Sequence, residues 1–202
     1  MKEVSPASSD SIDAAFAWGV LFTNLQMAVN NRNSAQLRSV MGQMTALSPD
    51  LGLEDITEKL MNNVSPLISE GNWPALENTF YNVQYSIEQA LFDQKRYEIY
   101  TLMGLGAWTE ITNEVARLVE LAYSSQRSAL LLQEGAWQYL ENNLMYLTNG
   151  QSSDSPVFQN IITFVREIGN CIENQTDNSL KQERVALIIE LTDNIRAEFL
   201  QQ

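Results

Sequence analysis

Two glutamates, Glu110 and Glu114, are the pair of side chains in this sequence that could most directly carry chemistry. Residues four apart on an α-helix share a face, so the two carboxylates are expected to lie side by side. Paired carboxylates can act as acid and base in glycoside hydrolysis, or as oxygen ligands to calcium. Glutamates at this spacing are also commonly solvated, and Arg117 is placed to pair with Glu114. The sequence leaves both interpretations open.

A glycine-rich stretch with a tryptophan precedes these glutamates on the same predicted helix. Each glycine costs about 1 kcal/mol relative to alanine inside an exposed helix, so a compensating reason is expected. One reason would be the close approach of a neighbouring helix, and the other would be a shallow groove beside the tryptophan. The candidate binding groove comprises Gly104, Gly106, Trp108, Glu110 and Glu114.

The residue types that are missing exclude many reactions. Histidine is absent from the 202 residues, which excludes imidazole general bases, histidine-dependent triads and the usual zinc and di-iron sites. The single Cys171 lies on an apolar helical stripe, where a core thiol is a better interpretation than a nucleophile. We therefore predict no cofactor and no metal site.

The chain is strongly acidic, with 25 acidic against 12 basic side chains and a formal net charge of -13. A field of this sign repels phosphate backbones and anionic membranes, so nucleic acid is not an expected partner. Purely apolar runs such as residues 16–22 and 185–189 are shorter than the roughly 18 residues needed to cross a bilayer. We therefore expect no transmembrane segment.

Helical periodicity runs through most of the chain, and no segment alternates polar and apolar residues as a half-buried strand would. The apolar spacing, capping residues and breakers predict about eight antiparallel helices. Their predicted bounds are about 11–31, 34–47, 54–68, 72–91, 96–123, 126–147, 155–171 and 178–199. The predicted fold class is all-α, as a bundle or a short helical-repeat solenoid.

A nine-residue motif occurs at residues 70–78 and again at 134–142, with six identical positions and a spacing of 64 residues. Both copies begin Glu-Gly-x-Trp and end Leu-Glu-Asn. Glu77 and Glu141 therefore recur together, where each could cap a helix or anchor a neighbouring loop. An internal echo of this kind predicts repeated helical packing.

A second echo disagrees with a simple duplication, because Ala17-Trp18 and Ala107-Trp108 are 90 residues apart. We therefore expect one all-helical domain over residues 12–202. The alternative is a pair of pseudo-repeat halves, 12–95 and 96–202.

Tyrosines are concentrated on the central helices. Tyrosine tends to lie at the edge of a core with its hydroxyl wet or paired, and core edge is the preferred interpretation here. A surface for carbohydrate or peptide is the alternative. The residues concerned are Tyr81, Tyr85, Tyr97, Tyr100, Tyr139 and Tyr146.

Residues 1–11 are polar and lack the apolar core of a signal peptide. They are typical of a tether that follows a removed leader or a lipid-bearing cysteine. This pattern predicts a periplasmic or lipid-anchored protein, with a cytoplasmic location as the alternative.

The Arg…Leu…Gly-x-Trp-x-Glu pattern within residues 95–110 resembles a segment of an uncharacterised family of exported, often lipid-anchored, all-helical proteins of Bacteroidetes and Chlorobi. Residues 17–25 resemble that family's glycine-containing first helix, and residues 47–53 its Leu-Gly-hydrophobic turn. The likeness covers residues 14–145, and Ile111 stands near where the family tends to have an aromatic residue. The resemblance implies a helical fold and an envelope setting, but no reaction.

Together these features predict a non-enzymatic binding or scaffold protein of the bacterial envelope, whose partner is a protein or an envelope component. The alternative is a carboxylate-only enzyme, such as a glycosidase built on Glu110 and Glu114.

Overall fold

The computed structural model describes residues 4–8, 10–133, 135–148, 156–172 and 178–201. Of these described residues, 85% are helical, which confirms the prediction of an all-α helical bundle. The described ranges contain eight long helices and one single-turn helix. They are α1 (Ser11–Asn30), α2 (Ser34–Leu51), α3 (Glu54–Glu70), α4 (Trp73–Asp93), α5 (Tyr97–Leu121), α6 (Ser125–Ser128), α7 (Ala136–Thr148), α8 (Pro156–Ile172) and α9 (Gln182–Phe199).

The predicted end of α2 near residue 47 is wrong, because the helix continues through Pro49 to Leu51. A proline inside a helix leaves the carbonyl four residues earlier without its backbone donor. Here that carbonyl belongs to Thr45, and the Ser48 hydroxyl donates to it at 2.9 Å. The helix ends instead at Gly52, whose φ of +63° is a left-handed conformation that glycine adopts readily.

The predicted continuous helix over 126–147 is also wrong. Ser124 caps the single turn of α6 by accepting from the Arg127 amide at 3.2 Å, and a 3₁₀ turn follows at Ala129–Leu131. Gly135 then adopts a φ of +84°, which a right-handed helix cannot contain. The chain therefore starts a new helix, α7, at Ala136.

The chain divides into two compact units, with the boundary inside α5. Unit 1 holds the described residues up to Ala107 together with Phe199–Gln201, and unit 2 holds those within Trp108–Glu198. The sequence favoured one domain, with an alternative division between residues 95 and 96. The observed boundary lies twelve residues further along, between 107 and 108.

Helix α1 forms the centre of unit 1, where it packs against α2 and α4. Its residues from Ala14 to Leu25 are all buried. A Cβ on Gly19 would lie 2.0 Å from the Met103 carbonyl oxygen, and one on Gly106 would lie 2.1 Å from the Phe16 carbonyl oxygen. The backbones of α1 and the first part of α5 therefore meet where neither has a side chain.

The N-terminal segment is paired with the end of the chain. The Ala7 amide donates to the Phe199 carbonyl at 2.8 Å, and the Gln201 amide donates to the Ser5 carbonyl at 2.9 Å. The Phe199 ring stacks on Phe16 of α1, with centroids 4.4 Å apart. The described part of the predicted tether is therefore held against unit 1.

Helix α1 is long and apolar enough to cross a membrane by length and composition, with a mean hydropathy of 1.3 over its best window. The structure buries 78% of that window inside the protein. A core helix passes the same test as a membrane span, so the sequence-based expectation of no transmembrane segment stays a prediction.

Unit 2 contains the rest of α5, α6 to α8 and most of α9, with α7 packed against α8. The Tyr123 hydroxyl donates to the Leu180 carbonyl at 2.8 Å, and the Leu180 amide donates to the Ser128 hydroxyl at 2.9 Å. These bonds fix the segment that leads into α9 to the loop after α5.

The first prediction concerns the α1 contact of α5. Gly106→Ala places a methyl group against backbone that cannot rotate away, and we expect it to destabilise the protein by about 1–3 kcal/mol. The matched control is Gly42→Ala on α2, where a Cβ meets nothing within 4 Å. Because Gly42 is an exposed helical glycine, the control should stabilise by about 0.5–1 kcal/mol. Urea denaturation of both variants measures the difference, and equal stability would contradict the packing argument.

Candidate functional site

Glu110, one of the two carboxylates of the glycosidase alternative, lies in a buried ion pair. It is 4% exposed, and its Oε2 pairs with a guanidinium nitrogen of Arg196 on α9. Burial lowers the pKa of Arg196 below its ordinary value, because removing a cation from water costs free energy. The Glu110 carboxylate offsets part of that cost as the counter-charge. The pairing with Arg196 is therefore a structural reason for a glutamate at position 110.

Further hydrogen bonds and a second ion pair follow this pair along α5 and α9. The Asn113 amide nitrogen donates to the Thr192 hydroxyl at 2.8 Å and to the Asp193 carboxylate at 2.9 Å. Arg117 donates through Nε to the Asn113 amide oxygen at 2.8 Å, and a terminal nitrogen contacts Asp193 at 2.6 Å. We call this set the α5–α9 seam, and it comprises Glu110, Asn113, Arg117, Thr192, Asp193 and Arg196.

The seam corrects one sequence expectation. Arg117 was expected to pair with Glu114, but its carboxylate partner in the structure is Asp193. Positions 110, 113 and 117 follow steps of three and four, which place them on one helix face. That spacing was visible in the sequence, but their partners lie about 80 residues further along the chain.

The other members of the predicted groove are placed as follows. Gly106 is buried against α1, which is the close approach that the sequence offered as the alternative to a groove. Gly104, Trp108 and Glu114 are half-buried on α5. For these three residues the groove stays a prediction. The glycosidase alternative also stays untested, but the engagement of Glu110 with Arg196 counts against it, because a general acid must be free to exchange a proton with substrate.

The exposed face of α4 carries two of the tyrosines for which the sequence offered a carbohydrate or peptide surface as the alternative. Tyr81 is 73% exposed and Tyr85 63%, although tyrosines were expected at the edge of the core. Helical steps of four, four, three and four place both on one stripe. This α4 stripe comprises Glu77, Tyr81, Tyr85, Glu88 and Phe92.

The α4 stripe ends in an aromatic cluster at the start of α5. The Phe92 ring lies 5.4 Å from that of Tyr97 and 5.2 Å from that of Tyr100, measured between centroids. Phe92 and Tyr97 remain 47% and 45% exposed. Apolar and aromatic surface is therefore presented to solvent along unit 1 from the middle of α4 to the beginning of α5.

Beside Tyr81, α1 and α4 enclose a small notch with a volume of about 110 Å³. Pockets for drug-sized ligands measure roughly 300–1,000 Å³, so the notch has room for one side chain rather than for such a ligand. The lining combines a carboxylate, two carboxamides, an aromatic ring and apolar side chains. The α1–α4 notch is lined by Gln26, Val29, Asn30, Glu77, Phe80 and Tyr81.

The repeated motif has the same local conformation in both copies. Gly71 and Gly135 adopt φ values of +67° and +84° just before α4 and α7 begin. Leu76 and its counterpart Leu140 are both buried. Both copies therefore place a left-handed glycine before a helix and a buried leucine within it, and the repeated helical packing stays a prediction. The first position of the second copy, residue 134, lies outside the described residues.

The glutamate of each copy has a different environment. Glu141 on α7 accepts from the Arg166 Nε of α8 at 2.7 Å. Glu77, its counterpart on α4, is exposed, lines the notch and makes no ion pair with any described residue.

Cys171 is buried on α8, as the sequence predicted. Burial raises the pKa of its thiol, with Arg184 opposing the rise and Glu167 adding to it. Among the described residues, no group of three or more acidic or cysteine side chains is placed to hold a metal ion.

Comparison with known proteins found no family model, no curated protein and no solved structure that matches this chain. The class that the described residues define is an all-helical protein with two compact units. The resemblance to an exported helical family stays a prediction.

The second prediction concerns the buried ion pair. Glu110→Gln leaves Arg196 without its counter-charge, and we expect a loss of about 2 kcal/mol, below the cost for a fully buried pair because Arg196 keeps 30% of its side chain exposed. The double variant with Arg196→Met should recover part of this loss. Asp193→Asn, in a half-exposed pair, should cost about 1 kcal/mol or less. Equal losses in urea denaturation for the two single variants would contradict the burial argument.

The third prediction concerns Cys171. Because its raised pKa leaves less thiolate at neutral pH, the native thiol should react with iodoacetamide more slowly than the same thiol in denaturant. The reaction rate of the native thiol should rise with pH over a range that lies above the pKa of an ordinary cysteine. Mass spectrometry over time measures both rates. Alkylation of the native protein at the denatured rate would show that the thiol is accessible and ionised.

Proposed function

We propose that this chain is a non-enzymatic helical binding or scaffold protein of the bacterial envelope, and that it binds a protein or envelope component through the α4 stripe. The observation that carries the proposal is the exposure of Tyr81 and Tyr85, which lie four residues apart on one helix face. Large exposed aromatic surfaces are costly to solubility and are typical of interaction sites. Aromatic side chains also supply most of the energy at many protein interfaces.

The composition of α4 supports the same proposal. The helix carries Glu77, Glu88 and Asp93 but no lysine or arginine, so its outer face is aromatic and acidic. Exposed polar residues alternate with the tyrosines along the helix, among them Asn82 and Gln84. A surface of this kind binds a partner while remaining soluble when free.

The envelope setting follows from the sequence. Residues 1–11 are typical of the segment behind a leader or a lipid-bearing cysteine, and a cytoplasmic location is the alternative. Cell fractionation of the native gene product tests this part independently. Recovery in the periplasm or membrane fraction is expected, and recovery in the cytosol would contradict it.

The fourth prediction concerns the α4 stripe. Purified protein is used to capture partners from a periplasm and membrane extract of its own organism, and the captured components are identified by mass spectrometry. Tyr81→Ser with Tyr85→Ser should remove the specific partner and lower the recovery about ten-fold or more, as expected for the loss of two interface aromatics.

The matched control for this experiment is Tyr146→Ser on α7, where the side chain is 77% exposed. Because Tyr146 lies in unit 2, the control changes a similar area of exposed ring without touching the stripe. Retention of the same partner by the double variant would contradict the use of this surface.

A further inference from the structure

The equivalence of the two motif copies, continued three residues past the end of each, gives matching pairs of side chains one helical turn apart. A shift of 64 residues relates Glu77 and Tyr81 on α4 to Glu141 and Met145 on α7. In unit 2 this pair holds an arginine: Arg166 contacts Glu141 through Nε at 2.7 Å, and its terminal nitrogen lies 3.9 Å from the Met145 sulfur. The second copy therefore binds a guanidinium between a carboxylate and a soft, polarisable side chain.

The first copy has the corresponding groups, but the two helices beside them supply no cation. Neither α1 nor α4, the helices that form the notch, contains a lysine or arginine. Glu77 makes no ion pair with any described residue, and the space beside it measures about 110 Å³. At the position of Met145 stands Tyr81, whose ring face attracts a cation more strongly than a thioether does.

We propose that the α1–α4 notch binds an arginine side chain of a partner protein, as Glu141 and Met145 bind Arg166 within this chain. The Glu77 carboxylate is the counter-charge, and the Tyr81 ring is the surface on which the guanidinium stacks. The carboxamide oxygens of Gln26 and Asn30 are further acceptors at the rim. This inference rests on the proposed function, since it names the chemistry that a partner brings to the α4 stripe.

The shape and polarity of the notch favour arginine over other side chains. Val29 is 6% exposed and Phe80 3%, so apolar groups line its inner side and suit the three-carbon stem of arginine. A guanidinium is planar, stacks on aromatic rings and is more weakly hydrated than an ammonium, so it loses less on leaving water than lysine does. The charge of -13 also steers basic segments toward the protein.

The test is a titration of the full chain with N-acetyl-arginine methylamide, followed by amide shifts in ¹H–¹⁵N NMR spectra. We expect saturable shifts centred on Gln26, Asn30, Glu77 and Tyr81, with millimolar affinity. The lysine and leucine analogues should bind at least three-fold more weakly. Equal binding of the lysine analogue, or shifts scattered over the acidic surface, would overturn the assignment of an arginine site.

Two variants with the same change in net charge separate a local site from general attraction. Glu77→Gln should weaken binding of the arginine probe about five-fold, as expected for one partly exposed charge pair. Glu58→Gln, an exposed residue of α3 outside both the α4 stripe and the notch lining, should leave the affinity within about two-fold. A similar loss in both variants would overturn the inference.

The probe and the partner capture fail in different ways. If capture depends on Tyr81 and Tyr85 while the probe shifts no notch resonance, the stripe binds a partner without an arginine in the notch, and this inference is wrong. If the probe binds the notch as described but the capture finds no partner that depends on the stripe, the arginine site stands and the proposed function fails.

Discussion

Unit 1 depends on the contact between the backbones of α1 and the first part of α5. At Gly19 and Gly106 a single added carbon would lie about 2 Å from a carbonyl oxygen of the opposite helix. Close-packed interiors do not absorb such overlaps without moving a helix. The Thr23 hydroxyl adds a bond to the Ala107 carbonyl at 3.2 Å, so the contact is fixed in register as well as in distance.

Steps of four, three and four place Gly19, Thr23, Gln26 and Asn30 on one face of α1. The stripe of α1 that meets α5 at Gly19 and Thr23 therefore continues to the notch beside Glu77 and Tyr81. The glycine contact at Gly19 and the notch are therefore formed by the same helix, α1. Gly106, one of the two glycines that suggested a binding groove on α5, packs against α1 instead. The open polar notch lies between α1 and α4.

Local signals in the sequence predicted much of this fold. The apolar periodicity gave the long helices, and Asn33 and Asn72 cap the helices that were assigned to them. The predicted helix bounds were wrong where a single residue overrode the apolar pattern or the expected effect of a proline. Ser48 supplies the donor that allows α2 to pass Pro49, and Gly135 breaks a stretch whose apolar pattern is continuous.

Interactions between distant segments could not be predicted in the same way. No pattern near Glu110 identifies Arg196 as its partner, and no local feature of either motif copy shows that Arg166 fills one and leaves the other open. The repeat did indicate that Glu77 and Glu141 are equivalent. Their difference depends on which helix packs beside each, which is a property of the folded chain.

The most direct measurement is a crystal structure of the protein grown with N-acetyl-arginine methylamide. We predict guanidinium density between the Glu77 carboxylate and the Tyr81 ring, and a notch closed by the protein's own side chains, with no density there, would contradict the central claim.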